Sequence, residues 1–580
     1  MTETPRKQWY LHTKKADFAG IAKELGVDPI LVRIMRNRDL LTAEEMKFFL
    51  TAGRERMYPA GLLPNAVQAA ERITEKIRDG KRVRIVGDYD IDGVCATYIL
   101  YDGLRRAGAA VDYVIPERVR DGYGINIRIV EEAAEDGIDT LITCDNGISA
   151  VQELSRAKEL GMTVILTDHH DIRKTEEGTE CLPDADFIVS AKLAASKYPE
   201  KEICGAVTAW KLLQEVYRHC SVPEEVWFDY LEFAGIATVG DVMKLTGENR
   251  ILAGEALNGL NGRIVNRGLA ALVRACGLEG KQIGCYHIGF VIGPCINAGG
   301  RLETAEKAMQ LFLAEDDTEA ERFAEELREL NESRKSLTAK GVENASVQVR
   351  ERYQEDRILV VCLPDLHESM AGIVAGRIRE TFGKPALVVT GSGIQAENTD
   401  RVLLKGSGRS IEAWNMFEGL QGAADLLVKF GGHPMAAGFS IYADDLEEFR
   451  RRLNENCGLT EEDLIEKVWI DMRLPLSCVS ARLVRELEKL EPFGNGNEKP
   501  LFAEKNVRLT NLRVLGKTNR CLRMDAYTEE GYSCAALMFG DAEQLKTELL
   551  QRRSVDITFY PQINEYRGME TLQIVIEDYR

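Results

Sequence analysis

The sequence predicts an α/β protein of several domains: a parallel-sheet domain, a long connecting helix, a smaller α/β domain and a C-terminal β-barrel. Three observations carry this. Short β-rich runs at 82–86, 111–115, 140–143, 163–167 and 187–189 alternate with longer helical patterns, the signature of a buried parallel sheet. Residues 316–352 are highly charged, keep helical spacing and contain one glycine, Gly341, which suits a single long helix. The turn Glu491-Pro-Phe-Gly-Asn-Gly-Asn opens a last segment of alternating strands, such as 507–514 and 555–560, of the kind that closes into a small barrel.

Between helix and barrel, a strand at 358–362, a helix at 370–380, a strand at 386–390 and a glycine-rich end at 431–438 form the second α/β segment. The expected domains are an N-terminal helical segment at 1–60, the parallel-sheet domain at 61–315, the connector at 316–352, the smaller α/β domain at 353–460 and the barrel at 461–580. A chain of 580 residues is too long for one core, and three or four domains of roughly 100–200 residues are expected.

Composition excludes several classes. Hydrophobic residues at 45% and charged ones at 29% fit a globular protein rather than a disordered or membrane one. The start of the chain lacks a basic n-region followed by an apolar stretch, so neither export nor membrane insertion is expected. Thirteen scattered cysteines, with no C-x-x-C pair, suggest neither a disulfide framework nor structural zinc, and a reducing cytoplasm fits them. A net charge of −19 argues against coating nucleic acid with the whole surface. It leaves room for a local basic channel, and Lys505, Arg508, Arg513, Lys517, Arg520 and Arg523 form a run with no acidic residue among them.

The strongest local signal is Gly87-Asp88-Tyr89-Asp90-Ile91-Asp92-Gly93, after the strand at 82–86 and before a helical run at 94–106. Ligands in open α/β sheets bind outside the carboxyl ends of strands, and three anions crowded there repel unless a cation neutralises them. The alternative is a solvated turn whose aspartate caps the helix. The pattern recurs at later strand ends, in Cys144-Asp145-Asn146-Gly147 and Asp168-His169-His170. Two adjacent histidines, of only seven in the chain, stand beside that second aspartate. Asp241, after the apolar run at 233–237, is a further candidate ligand or a simple cap. Carboxylates with one or two imidazoles and no thiolate suit Mn²⁺ or Mg²⁺ better than zinc. Two such ions, about 3.5–4 Å apart, stabilise both attacking and leaving oxygens in phosphodiester hydrolysis.

Taken in order and spacing, these motifs resemble those of the DHH phosphoesterases. The resemblance implies that Asp88, Asp90, Asp92, Asp145, His169 and Asp241 supply the ligands of two Mn²⁺ or Mg²⁺ ions. Which of the first three aspartates bind directly stays open. It implies that His170 faces the substrate phosphate while Asp168 orients the histidines. The second α/β segment resembles the associated DHHA1 domain. Its Gly431-Gly432-His433 loop would bring His433 and the Gly432 N–H to the phosphate, and Gly406-Ser407-Gly408-Arg409-Ser410 would form another anion site. The alternative for either glycine cluster is a flexible loop.

Within this superfamily the tail resembles the OB-fold segment of RecJ-type exonucleases, which the small phosphodiesterases lack. Gly122-Tyr123-Gly124-Ile125-Asn126, preceded by Arg118, and Asn297-Ala-Gly-Gly-Arg301 are similar to the same group. This implies hydrolysis of single-stranded DNA from its 5′ end to 5′-mononucleotides, in repair and recombination. Arg118, Ser407 and Arg409 would hold the terminal phosphate, and single-strand binding protein and a helicase are the implied partners. Tyr527, Tyr532, Phe539, Tyr560 and Tyr566 are available to stack bases on the barrel, although most aromatics in a small barrel are core.

Two positions depart from the pattern. Cys295 stands where such sequences often carry Arg, so one phosphate contact is either missing or supplied by Arg301, and Leu366 replaces a Trp before His367. No further large domain follows the barrel, so partner docking through a C-terminal extension is not expected. The alternatives are a phosphodiesterase for short RNAs or cyclic dinucleotides and a non-catalytic DNA-binding scaffold. The basic tail opposes the first, and ligands concentrated at strand ends oppose the second.

Overall fold

The computed structural model describes residues 7–118, 120–395, 401–516, 519–566 and 568–580. The chain forms two compact units. The first is built chiefly from Tyr58–Met243 and Glu255–Glu466, the second from Gln8–Met57, Lys244–Gly254 and Lys467–Arg580.

The first unit holds both α/β sheets. Strands β1 (Arg82–Val86), β2 (Ala110–Val114), β3 (Thr140–Cys144), β4 (Thr163–Thr167) and β5 (Phe187–Val189) form an all-parallel sheet in the order β2-β1-β3-β4-β5. All five β3 residues are buried, as expected of a strand covered by helices on both faces. The chain runs from β1 to β2 on one side and then to β3 on the other. The topological switch point therefore lies between β1 and β3, and the crevice beyond their carboxyl ends is where such sheets bind ligands. Helix α1 (Ile91–Arg106) follows β1 and begins three residues earlier than its pattern predicts, because Asp90 caps it, which puts Asp92 in its first turn. Helices α2 (Gly205–Cys220), α3 (Leu231–Gly240) and α4 (Gly293–Leu302) follow the sheet. The connector is α5 (Asp317–Arg352), one helix of 36 residues capped by Asp316.

The second sheet contains β6 (Leu359–Cys362), β7 (Ala386–Gln395), β8 (Val402–Arg409), β9 (Leu427–His433) and β10 (Ala436–Tyr442), in the order β9-β10-β8-β7-β6. Helix α6 (Ala371–Phe382) lies between β6 and β7 in sequence. Here the structure rules out the flexible-loop alternative for 406–409, which lies within β8, and corrects the loop at 431–433, which ends β9. The glycines make room for side chains. A Cβ on Gly406 would lie 2.2 Å from the Phe439 ring, and one on Gly408 2.7 Å from the Met416 sulfur.

In the second unit β11 (Met472–Arg473), β12 (Phe502–Leu515), β13 (Cys521–Tyr527), β14 (Ser533–Phe539), β15 (Val555–Tyr566) and β16 (Met569–Tyr579) run in the order β11-β12-β13-β14-β16-β15, and β15 pairs back onto β12. The last five strands thus close into a barrel, with one parallel pair, β14–β16, and the helix Ala542–Leu550 before β15. This is the five-stranded architecture of an OB-fold. The N-terminal helices Phe18–Leu25, Pro29–Asn37 and Ala43–Thr51 share its hydrophobic core through Leu31, Ile34, Met35 and Met46.

Because β8 is packed rather than mobile, Gly406→Ala is expected to lower the thermal unfolding midpoint by the equivalent of about 1–3 kcal/mol of overpacking. A midpoint shift within error, measured by calorimetry, would restore the loop reading.

Candidate metal centre

Four chain segments bring acidic and imidazole groups to the switch point. Asp88 and Asp90 leave β1. The Oδ1 of Asp90 accepts from the backbone N–H of Asp92 (3.0 Å) and Gly93 (3.1 Å), fixing the start of α1. Gly93 cannot be replaced without movement, because a Cβ there would lie 2.5 Å from the Asp88 carbonyl oxygen. Asp92 turns inward and accepts from the N–H groups of Gly205 (2.6 Å) and Ala206 (2.7 Å) at the start of α2, a favourable place for a carboxylate. Asp145 follows β3 at φ 61°, a left-handed conformation that aspartate and asparagine tolerate better than most residues. Asp168, His169 and His170 follow β4, and Asp241 is the C-cap of α3.

These groups converge as the motifs predict. Ligand atoms of Asp88, Asp90 and Asp145 lie within 4.8 Å of one another, and so do those of Asp92, His169 and Asp241. The two groups join at Asp145, whose Oδ1 is 3.1 Å from His169 Nε2; the same nitrogen is 3.5 Å from Asp92 and 3.6 Å from Asp241. Neither oxygen of the fully buried Asp88, nor Oδ1 of Asp145, has a partner that meets hydrogen-bond geometry. Burial first, and then the neighbouring carboxylates, raise Asp88 and Asp145 well above the usual carboxylate range and push Asp241 to about 8. Buried carboxylate oxygens with few donors, and anions forced together, fit hard divalent cations, which Asp88, Asp90, Asp92, Asp145, His169 and Asp241 would hold. Burial and a neighbouring imidazole depress His169, as suits a neutral nitrogen ligand.

Asp168 does not enter either group. Its oxygens accept from the N–H of His169, His170 and Ile148, and its Oδ1 lies 2.7 Å from His170 Nδ1. Burial opposes ionisation of both partners, yet their pairing holds Asp168 low and pushes His170 up to about 9. Two residues with no assigned role complete this wall. Tyr123 Oη donates to the Asp145 carbonyl (2.8 Å) and lies 3.2 Å from His170 Nε2. The Asn146 amide donates to the carbonyls of Val86, Gly87 and Cys144 and accepts from Ile125 N–H, tying three strand-end loops together. The only sequence signal for either is its place within a flagged motif.

The same unit gathers arginines beside the carboxylates. Arg118 stacks 3.9 Å over the Tyr89 ring, its Nε unpartnered. Arg301, at the end of α4, donates to the Ser369 carbonyl (3.1 Å), and Ser369 Oγ donates back to the Arg301 carbonyl (2.8 Å). His367 Nδ1 lies 2.7 Å from the same Oγ, so that histidine is engaged with the Arg301 loop. Arg409 meets Ser407 Oγ (3.3 Å) and the Gly408 carbonyl (2.8 Å), beside Gly372 in the first turn of α6. Burial, with the charges of Arg118, Arg334 and Arg409, draws Arg301 down to about 10. Arg301 and Arg409 thus spend their hydrogen bonds on backbone carbonyls and a hydroxyl, an arrangement suited to an anion. Asn297 Oδ1, on α4, is buried without a partner. Cys295 instead points to Cys276 and Asn331 and makes no substitute for a motif arginine. His433 and Gly432 are exposed at the end of β9, and His433 acts electrostatically on Asp171, the residue after His170.

On the barrel, Lys505, Arg508, Arg513, Arg520 and Arg523 are all exposed. Lys517 and the Tyr566 side chain lie outside the described residues. Arg513 sits directly opposite Arg523 across β12 and β13, a like-charge pairing that costs stability unless an anion covers it. Phe539 is exposed, whereas Tyr560 lies under Lys499 and Tyr532 donates to the Val479 carbonyl.

Comparison with known proteins agrees with this geometry. Residues 82–238 match the DHH family N-terminal domain, 355–458 the DHHA1 domain and 470–578 the RecJ OB domain. Over 99% of its length the chain is 33% identical to the single-stranded-DNA-specific exonuclease RecJ of Bacillus subtilis, covering 71% of that protein, and 30% identical to its namesake in Salmonella typhimurium, covering 99% of it. The chain belongs to the RecJ family. A crystal structure of RecJ from Thermus thermophilus in complex with Mn²⁺ superposes with a TM-score of 0.83 and 29% identity, over 99% of this chain and 80% of that one.

In this RecJ family member the carboxylates should make metal binding and stability inseparable. Mn²⁺ at a hundredfold excess over its dissociation constant is expected to stabilise the protein by about 2.7 kcal/mol, read as a rise in thermal midpoint. Asp145→Asn should raise the midpoint of metal-free protein by relieving repulsion, and lose most of the Mn²⁺-dependent gain. A wild-type midpoint indifferent to Mn²⁺ and to chelator would remove the centre.

Proposed function

We propose that this chain is a metal-dependent exonuclease that hydrolyses single-stranded DNA from its 5′ end to 5′-mononucleotides. The observation that supports it most is the pairing, within one unit, of a buried carboxylate and histidine centre with arginines, Arg301 and Arg409, whose hydrogen bonds go to backbone carbonyls and a serine hydroxyl. Asp88, Asp90, Asp92, Asp145, His169 and Asp241 would hold two Mn²⁺ or Mg²⁺ ions. Bound there, the ions supply charge stabilisation for the attacking and leaving oxygens of a phosphodiester.

The remaining residues orient the strand. His170, kept cationic by Asp168, donates to a non-bridging oxygen of the scissile phosphate, and Tyr123 fixes both the imidazole and the Asp145 backbone. Arg118, Arg409 and Ser407, with Asn297 and Arg301 alongside, hold the terminal phosphate, which sets the 5′ direction and the one-nucleotide step. Gly432 and His433 approach the same phosphate when substrate is bound. The barrel residues Lys505, Arg508, Arg513, Arg520 and Arg523, with Lys517, bind the backbone of single-stranded DNA, and the exposed Phe539 offers a ring to a base. Such an enzyme suits repair and recombination in the cytoplasm, beside a helicase that exposes strands and a protein that coats them.

The test is hydrolysis of DNA labelled at either end and carrying a 5′ phosphate, with Mn²⁺ and with chelator. Mononucleotides leaving first from the 5′ end, only with metal, are the expected result. Strong preference for substrates of two to five nucleotides would contradict it and favour a short-RNA or cyclic-dinucleotide phosphodiesterase. Arg513→Ala with Arg523→Ala should leave short-substrate turnover intact while reducing the log–log salt slope of long-strand binding by about 1.4, two contacts at ~0.7 each.

A further inference from the structure

All thirteen cysteines are free thiols, and two of them are in contact. Cys276, half-buried, caps the helix Arg267–Ala275, and its Sγ lies 3.7 Å from the Sγ of Cys295, buried on α4. The surroundings are those of a reactive rather than an inert pair. Asn331 Nδ2 donates to Cys295 Sγ (3.2 Å) from α5, and Lys335 and Arg334 on the same helix act on that sulfur electrostatically. The hydrogen bond from Cys276 and these neighbours hold the Cys295 thiol below its usual range against the effect of burial. Cationic surroundings that favour thiolate are what distinguish oxidisable cysteines from structural ones. Cys276, followed by Gly277 at φ 66°, ends its helix in a turn that can yield.

We propose that Cys276 and Cys295 form a redox modification site that a peroxide converts to a disulfide, displacing the helix that carries Asn297 and Arg301. The electrons balance. When the pair gives up one proton the other stays on Cys276, whose thiol is raised by its hydrogen bond to Cys295, and the Cys295 thiolate attacks the peroxide O–O bond. It becomes a sulfenic acid, and the departing oxygen leaves as water. Cys276 then attacks the sulfenic sulfur, forming the S–S bond and expelling a second water. Two thiols and one hydrogen peroxide give one disulfide and two waters, and a dithiol reductant reverses the change by exchange.

A disulfide needs about 2.05 Å between sulfurs, so closure from 3.7 Å draws the two helices together and removes the Asn331 contact. Asn297 is two residues and Arg301 six residues beyond Cys295 on α4, so the shift reaches the anion site directly. Positioning errors of about 1 Å can cost on the order of a hundredfold in rate. The chemical half of the proposal stands alone, and only its effect on turnover rests on the exonuclease reading.

The experiment is peptide mass spectrometry of the whole protein after stoichiometric hydrogen peroxide, without reductant, paired with nuclease assays before and after dithiothreitol. Expected are one cross-linked peptide joining Cys276 to Cys295, absent in Cys276→Ser, and at least a tenfold loss of activity that dithiothreitol restores. Cys276→Ser should match the wild type in reducing buffer and resist peroxide. Recovery of both cysteines as free thiols, or their linkage to other cysteines, overturns the site. A cross-linked enzyme with undiminished turnover overturns the displacement. Wild-type protein inactive under reducing conditions would instead count against the exonuclease reading, while the cross-linked peptide still decides the site.

Discussion

Mutual repulsion among buried carboxylates is the constraint on which this structure turns. Asp88, Asp90, Asp92 and Asp145 are brought together by strands that the parallel sheet places side by side, in a crevice where water cannot screen them. Elsewhere in the fold, charge is settled by partners, as where Arg84 sits between Asp112 and Asp136. At the switch point the donors are spent on holding geometry: Asp90 on its own helix, Asp92 on the start of α2, Asp168 on three backbone N–H groups and His170. What is left over is a set of buried oxygens on Asp88 and Asp145 with no partner in good hydrogen-bond geometry, at the switch point of the sheet. Divalent cations resolve both the repulsion and the missing donors.

The opposite imbalance lies beside it. Arg118, Arg301, Arg334 and Arg409 act on one another and on Asp90 and Asp88, so each excess of charge makes the other tolerable. A phosphodiester spans both requirements, with non-bridging oxygens for the cations of the protein and for bound metal alike. On the barrel, Arg513 faces Arg523 across β12 and β13, a like-charge pair that an anion would relieve.

Much of this was legible in the sequence where a signal is local. Strand ends followed by Asp-x-Asp-x-Asp or Asp-His-His bring their acidic and imidazole groups to the carboxyl edge of the sheet, and the charged stretch at 316–352 folds as the single helix Asp317–Arg352 that its spacing implies. Long-range partners left no such mark. Nothing near Asp92 announces that Gly205 and Ala206, more than a hundred residues later, will bind its oxygens, and nothing near Arg301 announces Ser369. The glycines of β8 left two readings open for a physical reason. Absence of a side chain serves a mobile loop and a strand crossed by a phenylalanine ring equally well, and only the position of Phe439 distinguishes them. Asn146 shows the same limit, since one amide tying three loops is a property of the folded sheet, not of its tripeptide.

The most direct test of the account is a crystal of this protein grown with Mn²⁺ and measured at the manganese absorption edge. Two anomalous peaks about 3.5–4 Å apart, with Asp145 between them and Asp88 on one and His169 on the other, are the predicted result. A single ion held away from Asp145, or manganese absent while Asp88 and Asp145 keep their present positions, would contradict it.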